Sequence, residues 1–333
     1  MRTSSRLRGA IIGCGFFGQI HLEAWRRMPE VEIVAACDLN PERARDAAPR
    51  TYSSSEQMLE RERLDFVDIA TRPESHLELL RLTAARKLPT ICQKPMAPNW
   101  ADAVAMVEAA EAAAIPFMIH ENWRWQPWYR VVKRLIEQGD IGQPLGYSFR
   151  TRRRDGVGRD PYPHQRYFRQ MQRFLIDEML VHLIDTARFL FGDVTAVYAQ
   201  ARQINPVIVG EDQALLLLTH AGELPGTIDG HRFLDTNPEG PVLGDAWFEG
   251  DAGSLTVAPT GSVYRASQPV WENDVTQGYR GDSVRATQQH FITCLRSGMP
   301  FETNGREYLK TYAVVEAAYY SNAERRAVSL CPP

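Results

Sequence analysis

AIIGCGFFG, running from Ala10 to Gly18, is the stretch that decides the fold. Ala10 to Ile12 read as a short buried strand, and a helical pattern runs from Gly18 to about Met28. Gly13, Gly15 and Gly18 therefore sit in the turn joining a strand to a helix. The first glycine permits a tight turn, the second lets backbone approach a pyrophosphate, and the third lets helix and strand pack closely; the helix N-terminus supplies amide donors. Asp38 follows a second apolar run, about 20 residues past Gly18, where an acid can accept hydrogen bonds from ribose hydroxyls. The two features together predict a bound dinucleotide. A 2′-phosphate beside Asp38 would meet like-charge repulsion, which favours NAD over NADP. Arg43 and Arg45 could partly reverse that preference, although both also read as solvated helix residues.

Outward from this turn, short apolar runs alternate with helical patterns through the first 120 residues, the rhythm of a parallel sheet covered by helices. The expected strands are Ala10–Ile12, Val31–Cys37, Phe66–Ala70, Thr90–Cys92 and Phe117–Ile119, and Asn99 is placed to cap the helix before the last of them. Past His120 the texture changes to an aromatic helix start (ENWRWQPWY), a polar strand and loop over 147–169, a helix around His182, and several β-rich segments separated by Gly, Pro and Asp. The expectation is an α/β chain with a dinucleotide-binding Rossmann domain over 1–121. An α+β domain with a large, mostly antiparallel sheet follows over 122–333, its last helices free to pack on either domain.

A chain of 333 residues suits two domains, and two domains create a cleft. With 38 basic and 41 acidic residues and a net charge of -3, it offers no broad positive field for nucleic acid. Five cysteines without CxxC spacing read as reduced, buried thiols in a cytoplasm. No run approaches the roughly 18 apolar residues of a membrane span, and the start lacks a long hydrophobic leader. No further ligand of matching spacing accompanies the Glu/His pair described next, so no metal is expected.

Lys94, in ICQKPMA, lies at the end of the fourth expected strand, where open α/β sheets present ligands. A protonated lysine there can donate to a substrate oxygen and stabilise alkoxide character as hydride leaves the carbon. In FLIDEMLVHLID, straight helical spacing puts Glu178, His182 and Asp185 on one stripe, so a carboxylate orients an imidazole that can take an alcohol proton. The catalytic candidates are Lys94, His182 and Glu178.

GCGFFG, ATRPESH (70–76), ICQKPMA, ENWRWQP, IGQPLG (141–146), DEMLVHLID and PFETNGREYLKTYAVVEAAYYS make nearly the whole chain resemble the glucose-fructose oxidoreductase and inositol dehydrogenase (Gfo/Idh/MocA) family. ICQKP with HENWRWQ is most similar to a subgroup that includes D-apiose dehydrogenases. The resemblance implies a catalytic lysine at Lys94, a catalytic histidine at His182 with an acid four residues earlier, and cofactor contacts at Phe16, Phe17, Thr71, Pro73, His76, Gln93 and Asn122. It also implies a sheet whose open face pairs subunits as a homodimer or homotetramer. Three positions depart from the family pattern: Gln93 stands for a usual glutamate, Glu178 for a usual aspartate, and Leu180 for a common glycine. The implied activity is NAD-dependent oxidation of a carbohydrate hydroxyl, first an aldose C1 giving a lactone. An inositol-type secondary alcohol is second, and a non-catalytic dinucleotide-binding regulator belongs to a different class. Trp123, Trp125, Trp128 and Tyr129 could wall a sugar or pack a core. The arginine-rich stretch Arg152–Arg169 could be a substrate lid, with Arg166 or His164 reaching inward, or a solvated strand end.

Overall fold

The computed structural model describes residues 6–163 and 165–330 and resolves them into two compact units. One draws on Met1–Asn122 and Asp282–Leu309, the other on Trp123–Gly281 and Lys310–Pro333.

In the first unit the chain runs β1 (Leu7–Ile12), α1 (Phe16–Arg26), β2 (Val31–Cys37), α2 (Pro41–Ala44), β3 (Arg50–Tyr52), α3 (Ser55–Arg61), β4 (Phe66–Ile69), α4 (His76–Ala85), β5 (Thr90–Gln93), α5 (Trp100–Ala112) and β6 (Phe117–His120). All six strands are parallel, in the order β3-β2-β1-β4-β5-β6, so the order reverses beside β1 and opens a crevice at the strand C-termini. The expected strands are present; β3, only three residues long and largely exposed, carried too little apolar pattern to announce itself. Asn99 caps α5 as expected, its Oδ1 accepting the Asp102 N–H at 2.9 Å.

The second unit contains α6 (Pro127–Glu137), β7 (Pro144–Arg152), α7 (Val181–Phe191), β8 (Val194–Arg202), β9 (Gln213–His220), β10 (Pro225–His231), β11 (Gly244–Gly250), β12 (Gly253–Val257), β13 (Val263–Arg265) and β14 (Gln268–Trp271). Then come α8 (Ser283–Ser297), α9 (Gly305–Glu324) and the two-residue β15 (Val328–Ser329). The nine strands β7–β15 form one sheet in the order β14-β13-β12-β11-β7-β10-β9-β8-β15, antiparallel except for the parallel pair β7/β10. Along β9 buried and solvent-facing residues alternate, so one face is packed while the other leaves Leu215 and Leu217 nearly half exposed.

Helix α8 belongs to the first unit because its apolar face fits there. Phe291, Ile292 and Cys294 join Trp25, Phe66, Ile91 and Met118 in one core, and each large apolar side chain buried this way contributes about 1.5–3 kcal/mol. At the helix start, Asp282 accepts bonds from Arg27, just past the end of α1, and from Arg285.

Candidate active site

The glycine turn of the first unit divides its labour as the spacing predicts. Gly13 has φ +98°, and a Cβ there would lie 2.6 Å from the Ala70 carbonyl oxygen. A Cβ on Gly18 would lie 2.1 Å from the Gly13 carbonyl oxygen, so helix and turn touch only because that atom is missing. A Cβ on Gly15 would meet nothing within 4 Å, and Gly15 begins α1 without any side-chain cap among the described residues. Open space above bare helix amides is a cradle that fits a pyrophosphate. Phe16 is exposed beside it, and Phe17 sets its ring edge-on to His21. Asp38, at the end of β2, accepts the Cys14 N–H on one oxygen and the Asn40 N–H on the other, both at 2.8 Å. A carboxylate has about four acceptor directions, so ribose hydroxyls still have lone pairs to use. Arg43 and Arg45 are exposed on α2, and Arg45 pairs with Glu42 of its own helix.

The remaining cofactor candidates of this unit lie at strand ends but differ in what they offer. Thr71 is half-buried and its Oγ1 accepts from Ser75; Pro73 opens a single 3₁₀ turn. His76 is fully buried, with Nδ1 3.1 Å from the Met96 carbonyl and Nε2 3.2 Å from the Thr71 carbonyl, so it ties two loops together through backbone. Burial holds its pKa below the ordinary 6.5. Asn122 donates to Ser283 Oγ at 2.8 Å and is also buried. Lys94 follows β5 directly, is 9% exposed, and is joined to Pro95 by a cis peptide bond. Gln93 Oε1 accepts the Lys94 backbone N–H at 2.6 Å.

Four of the cysteines are free and buried, as hydrophobes of their size are. Burial, with Asp38 nearby, pushes the Cys14 thiol up to about 12 and that of Cys37 up to about 11, which makes them poor nucleophiles. Cys331 lies outside the described residues.

In the second unit the stretch FLIDEMLVHLID does not make one straight α-helix. Leu175–Leu180 form a wide π-helical turn before α7, in which the Val181 N–H reaches back five residues to the Ile176 carbonyl. The cause is tertiary. The Glu211 carboxylate accepts the N–H groups of Phe174 (3.2 Å) and Ile176 (3.0 Å), and Tyr319 Oη donates to the same group at 2.6 Å. Leu180 meanwhile fills the space beside Gly230, where a Cβ would come within 2.6 Å of its Cδ2.

Glu178 therefore lies in the wide turn, while His182 and Asp185 follow it on the regular helix α7. Asp185 is fully buried and takes a bidentate bond from Arg124, two contacts of 2.7 Å, with Thr311 Oγ1 adding a third at 3.0 Å. Asp177 lies in the electrostatic reach of Arg173 and Tyr319, Glu178 in that of Arg232. His182 is buried and stacks flat on Trp123, ring centroids 4.8 Å apart and planes within 5°. The Arg124–Asp185 pair, one residue along from Trp123 and three from His182, fixes that stack. Trp128 and Tyr129 are fully buried, with Gly261 and Gly281 pressed on Trp128, so these two pack a core, while Trp125 is half-buried with the Arg130 guanidinium over its ring.

The arginine-rich stretch is neither bare nor simply solvated. Arg152 pairs with Asp229, Arg153 with Asp155, and Arg169 with Asp160 and the Pro161 carbonyl. Tyr162, Phe168, Phe174 and Ile208 form a small core beneath them. Arg166 is exposed, and His164 lies outside the described residues.

Sequence reasoning missed Arg232. It is buried, bonded twice to Asp155 at 2.7 and 2.5 Å, and its charge faces Glu178. Burial is the strongest single influence and would depress its pKa, but the charge and hydrogen bond of Asp155, with the charges of Tyr162 and Glu178, together raise it. No local signal marks it, because its partner is 77 residues away.

Residues 7–120 match the family described as an oxidoreductase family with an NAD-binding Rossmann fold, and residues 129–256 match the GFO/IDH/MocA C-terminal domain. Over 98% of its length the chain is 40% identical to a D-apiose dehydrogenase of Paraburkholderia graminis, covering 91% of that protein. It is 36% identical to the D-apiose dehydrogenase of Rhizobium rhizogenes, with 98% of each chain covered. Among solved structures, an oxidoreductase from Agrobacterium radiobacter in complex with NAD+, L-tartaric acid and magnesium is similar at a TM-score of 0.89 and 35% identity, with 98% of each chain covered. A strand–glycine turn–helix with an open cradle, an acid at the end of β2 and both family domains in order leave one conclusion: the chain belongs to the GFO/IDH/MocA family of NAD-binding oxidoreductases.

Proposed function

We propose that this chain is an NAD-dependent sugar dehydrogenase that oxidises C1 of a pentose, D-apiose or a close analogue, to a lactone. The observation that carries the reading is identity of 40% along nearly the whole chain with a D-apiose dehydrogenase, in a sequence that keeps Lys94 and His182. When bound, NAD supplies the hydride acceptor. The Lys94 ammonium donates to the substrate oxygen and favours its alkoxide character. His182, its ring face covered by Trp123, takes the hydroxyl proton through a ring nitrogen. Glu178 balances the imidazolium so formed, and the Arg232 guanidinium lies within electrostatic reach of that carboxylate. Trp123 enters through the stack that limits rotation of the imidazole. Arg166, exposed as it is, takes the weaker substrate role of a rim contact.

The exposed Leu215 and Leu217 on the open face of the sheet support assembly of two or four copies through that face. No helix among the described residues is long and apolar enough to cross a membrane, and free buried cysteines suit a reducing cytoplasm.

The test is NAD reduction followed at 340 nm with D-apiose, other pentoses, hexoses and inositols, with product analysis. Turnover of D-apiose with lactone formation is the expected result. A ketone from an inositol would move the reading to secondary-alcohol oxidation, and NAD binding without turnover across the panel would replace it with a regulator.

A further inference from the structure

We propose that His21 is a positioning residue for Lys94: as a neutral imidazole with its hydrogen on Nδ1, it links Asp68 to the Gln93 amide, and that amide fixes the backbone of the lysine. The inference rests on the reading of Lys94 as the catalytic cation, but its first test does not.

The chain of contacts runs through the interior of the first unit. Asp68 on β4 and His21 on α1 are both fully buried, and His21 Nδ1 lies 2.8 Å from Asp68 Oδ2. The same oxygen accepts the Trp25 indole N–H at 2.7 Å. A carboxylate only accepts, so Nδ1 carries a hydrogen. On the other side of the ring, His21 Nε2 lies 3.1 Å from Gln93 Nε2.

Which end of the glutamine faces the histidine is settled by chemistry. Gln93 Oε1 is 2.6 Å from the Lys94 backbone nitrogen, and a peptide N–H can only donate. The amide oxygen is therefore committed to Lys94 and the NH2 end must face His21, which leaves Nε2 to accept with its lone pair. Both ring nitrogens are thus assigned, and the ring is neutral. The rest of its surroundings agree. His120 on β6 stacks on it at 4.0 Å between centroids, an arrangement that penalises charge on either ring. Phe17 packs edge-on, and Gln288 of α8 donates to the His21 carbonyl rather than to the ring. The titratable groups that sense Asp68 include the buried thiols of Cys14 and Cys92, which burial keeps protonated.

A glutamate at position 93 would have no N–H to offer. With that glutamate ionised, the bond to Nε2 would survive only if His21 took up a proton and became an imidazolium between two carboxylates. The three groups would carry one net negative charge in either arrangement: Asp68 alone with glutamine, or two carboxylates less one imidazolium with glutamate. Glutamine thus does not change the charge beside Lys94; it moves a proton off His21.

The decisive measurement is ¹⁵N NMR of the histidine rings in the full chain near neutral pH, with His21 assigned from a His21→Gln sample. Wild type should show the neutral Nδ1–H form, and Gln93→Glu should show a doubly protonated ring at the same pH. An Nε2–H or charged ring in wild type, or a ring that stays neutral in Gln93→Glu, overturns the proposal. Kinetics test the positioning. Gln93→Leu should lower kcat on the order of tenfold to a hundredfold, more than it changes KM for NAD, and Gln93→Glu, which keeps an acceptor for the Lys94 N–H, should recover part of that loss, since small misplacements of a reacting group are costly. Equal kcat for Gln93→Leu and wild type would also overturn it. If Lys94→Ala retained full turnover, the catalytic reading would fall while the ring-nitrogen result would stand by itself.

Discussion

The turn before α1 and the turn before α7 are both helix entries without a side-chain cap of their own, and they are completed in opposite ways. At Gly15 the first helical amides face open space where even a Cβ would touch nothing. At Phe174 the equivalent amides are filled by the protein's own carboxylate, Glu211, which is held by Tyr319. An unfilled helix end is a place for an external anion; a filled one is a hinge pin that fixes what the following helix carries. The difference teaches that a bare helix start is a ligand site only when nothing in the fold claims it.

The largest effects should come from the proposed catalytic pair, one residue in each unit. Lys94→Ala and His182→Ala are each expected to lower kcat by about 10²-fold or more while leaving NAD affinity nearly intact. If both act on one alcohol, the double variant should cost little more than the worse single one, as groups that act as a unit do. Multiplicative losses would mean that the two regions serve different steps. Glu211→Ala comes next. It orphans two buried N–H groups and the Tyr319 hydroxyl, and should cost about 2–3 kcal/mol in urea unfolding and lower kcat through His182. Glu211→Ala with wild-type stability would show that the second helix entry is as open as the first.

The glycines separate binding from folding. Gly18→Ala places a Cβ 2.1 Å from a backbone oxygen and should destabilise by about 1–3 kcal/mol. Gly15→Ala should leave thermal unfolding unchanged but weaken NAD on the order of tenfold, because its methyl group occupies the cradle. The reverse pattern would mean that the cradle is not where phosphate sits.

The smallest effect expected is the pH dependence. Burial lowers the pKa of His76 in the first unit and His220 in the second, so the unfolded chain binds protons that the folded one refuses. The stability they contribute is complete above their ordinary 6.5 and is lost as pH falls below it. Denaturant midpoints from pH 7.5 to 5.5 should fall, and His76→Asn should flatten the slope. An unchanged slope would assign it to the second unit.

Much of the first unit could be read along the chain because its chemistry sits at strand ends. A strand, three glycines, an acid one strand later and a lysine after β5 keep their relations whatever the details of packing, since parallel β-α units deliver every strand C-terminus to one edge. His21 could have been noticed there: it stands four residues from both Phe17 and Trp25, the one polar group of that inward-facing series. The second unit resisted because helical spacing assumes an α-helix, and the turn over Leu175–Leu180 is wider. Its aromatic residues were equally ambiguous, since Trp123 and Trp128 look alike in sequence and only packing makes one a stacking partner of His182 and the other a core residue.

The amino-acid order alone determined the dinucleotide fold, the alternation that builds a parallel sheet and then a mostly antiparallel one, and the kinds of groups available for hydride and proton chemistry. Those properties follow from period, turn residues and short-range spacing, which survive without knowledge of distant partners. The tertiary structure decided which helix end is open, which of two adjacent acids turns toward Arg232, and which ring nitrogen of His21 carries its hydrogen. Each depends on a partner some tens of residues away, and a hydrogen bond or ion pair at that separation leaves no periodic trace in the sequence.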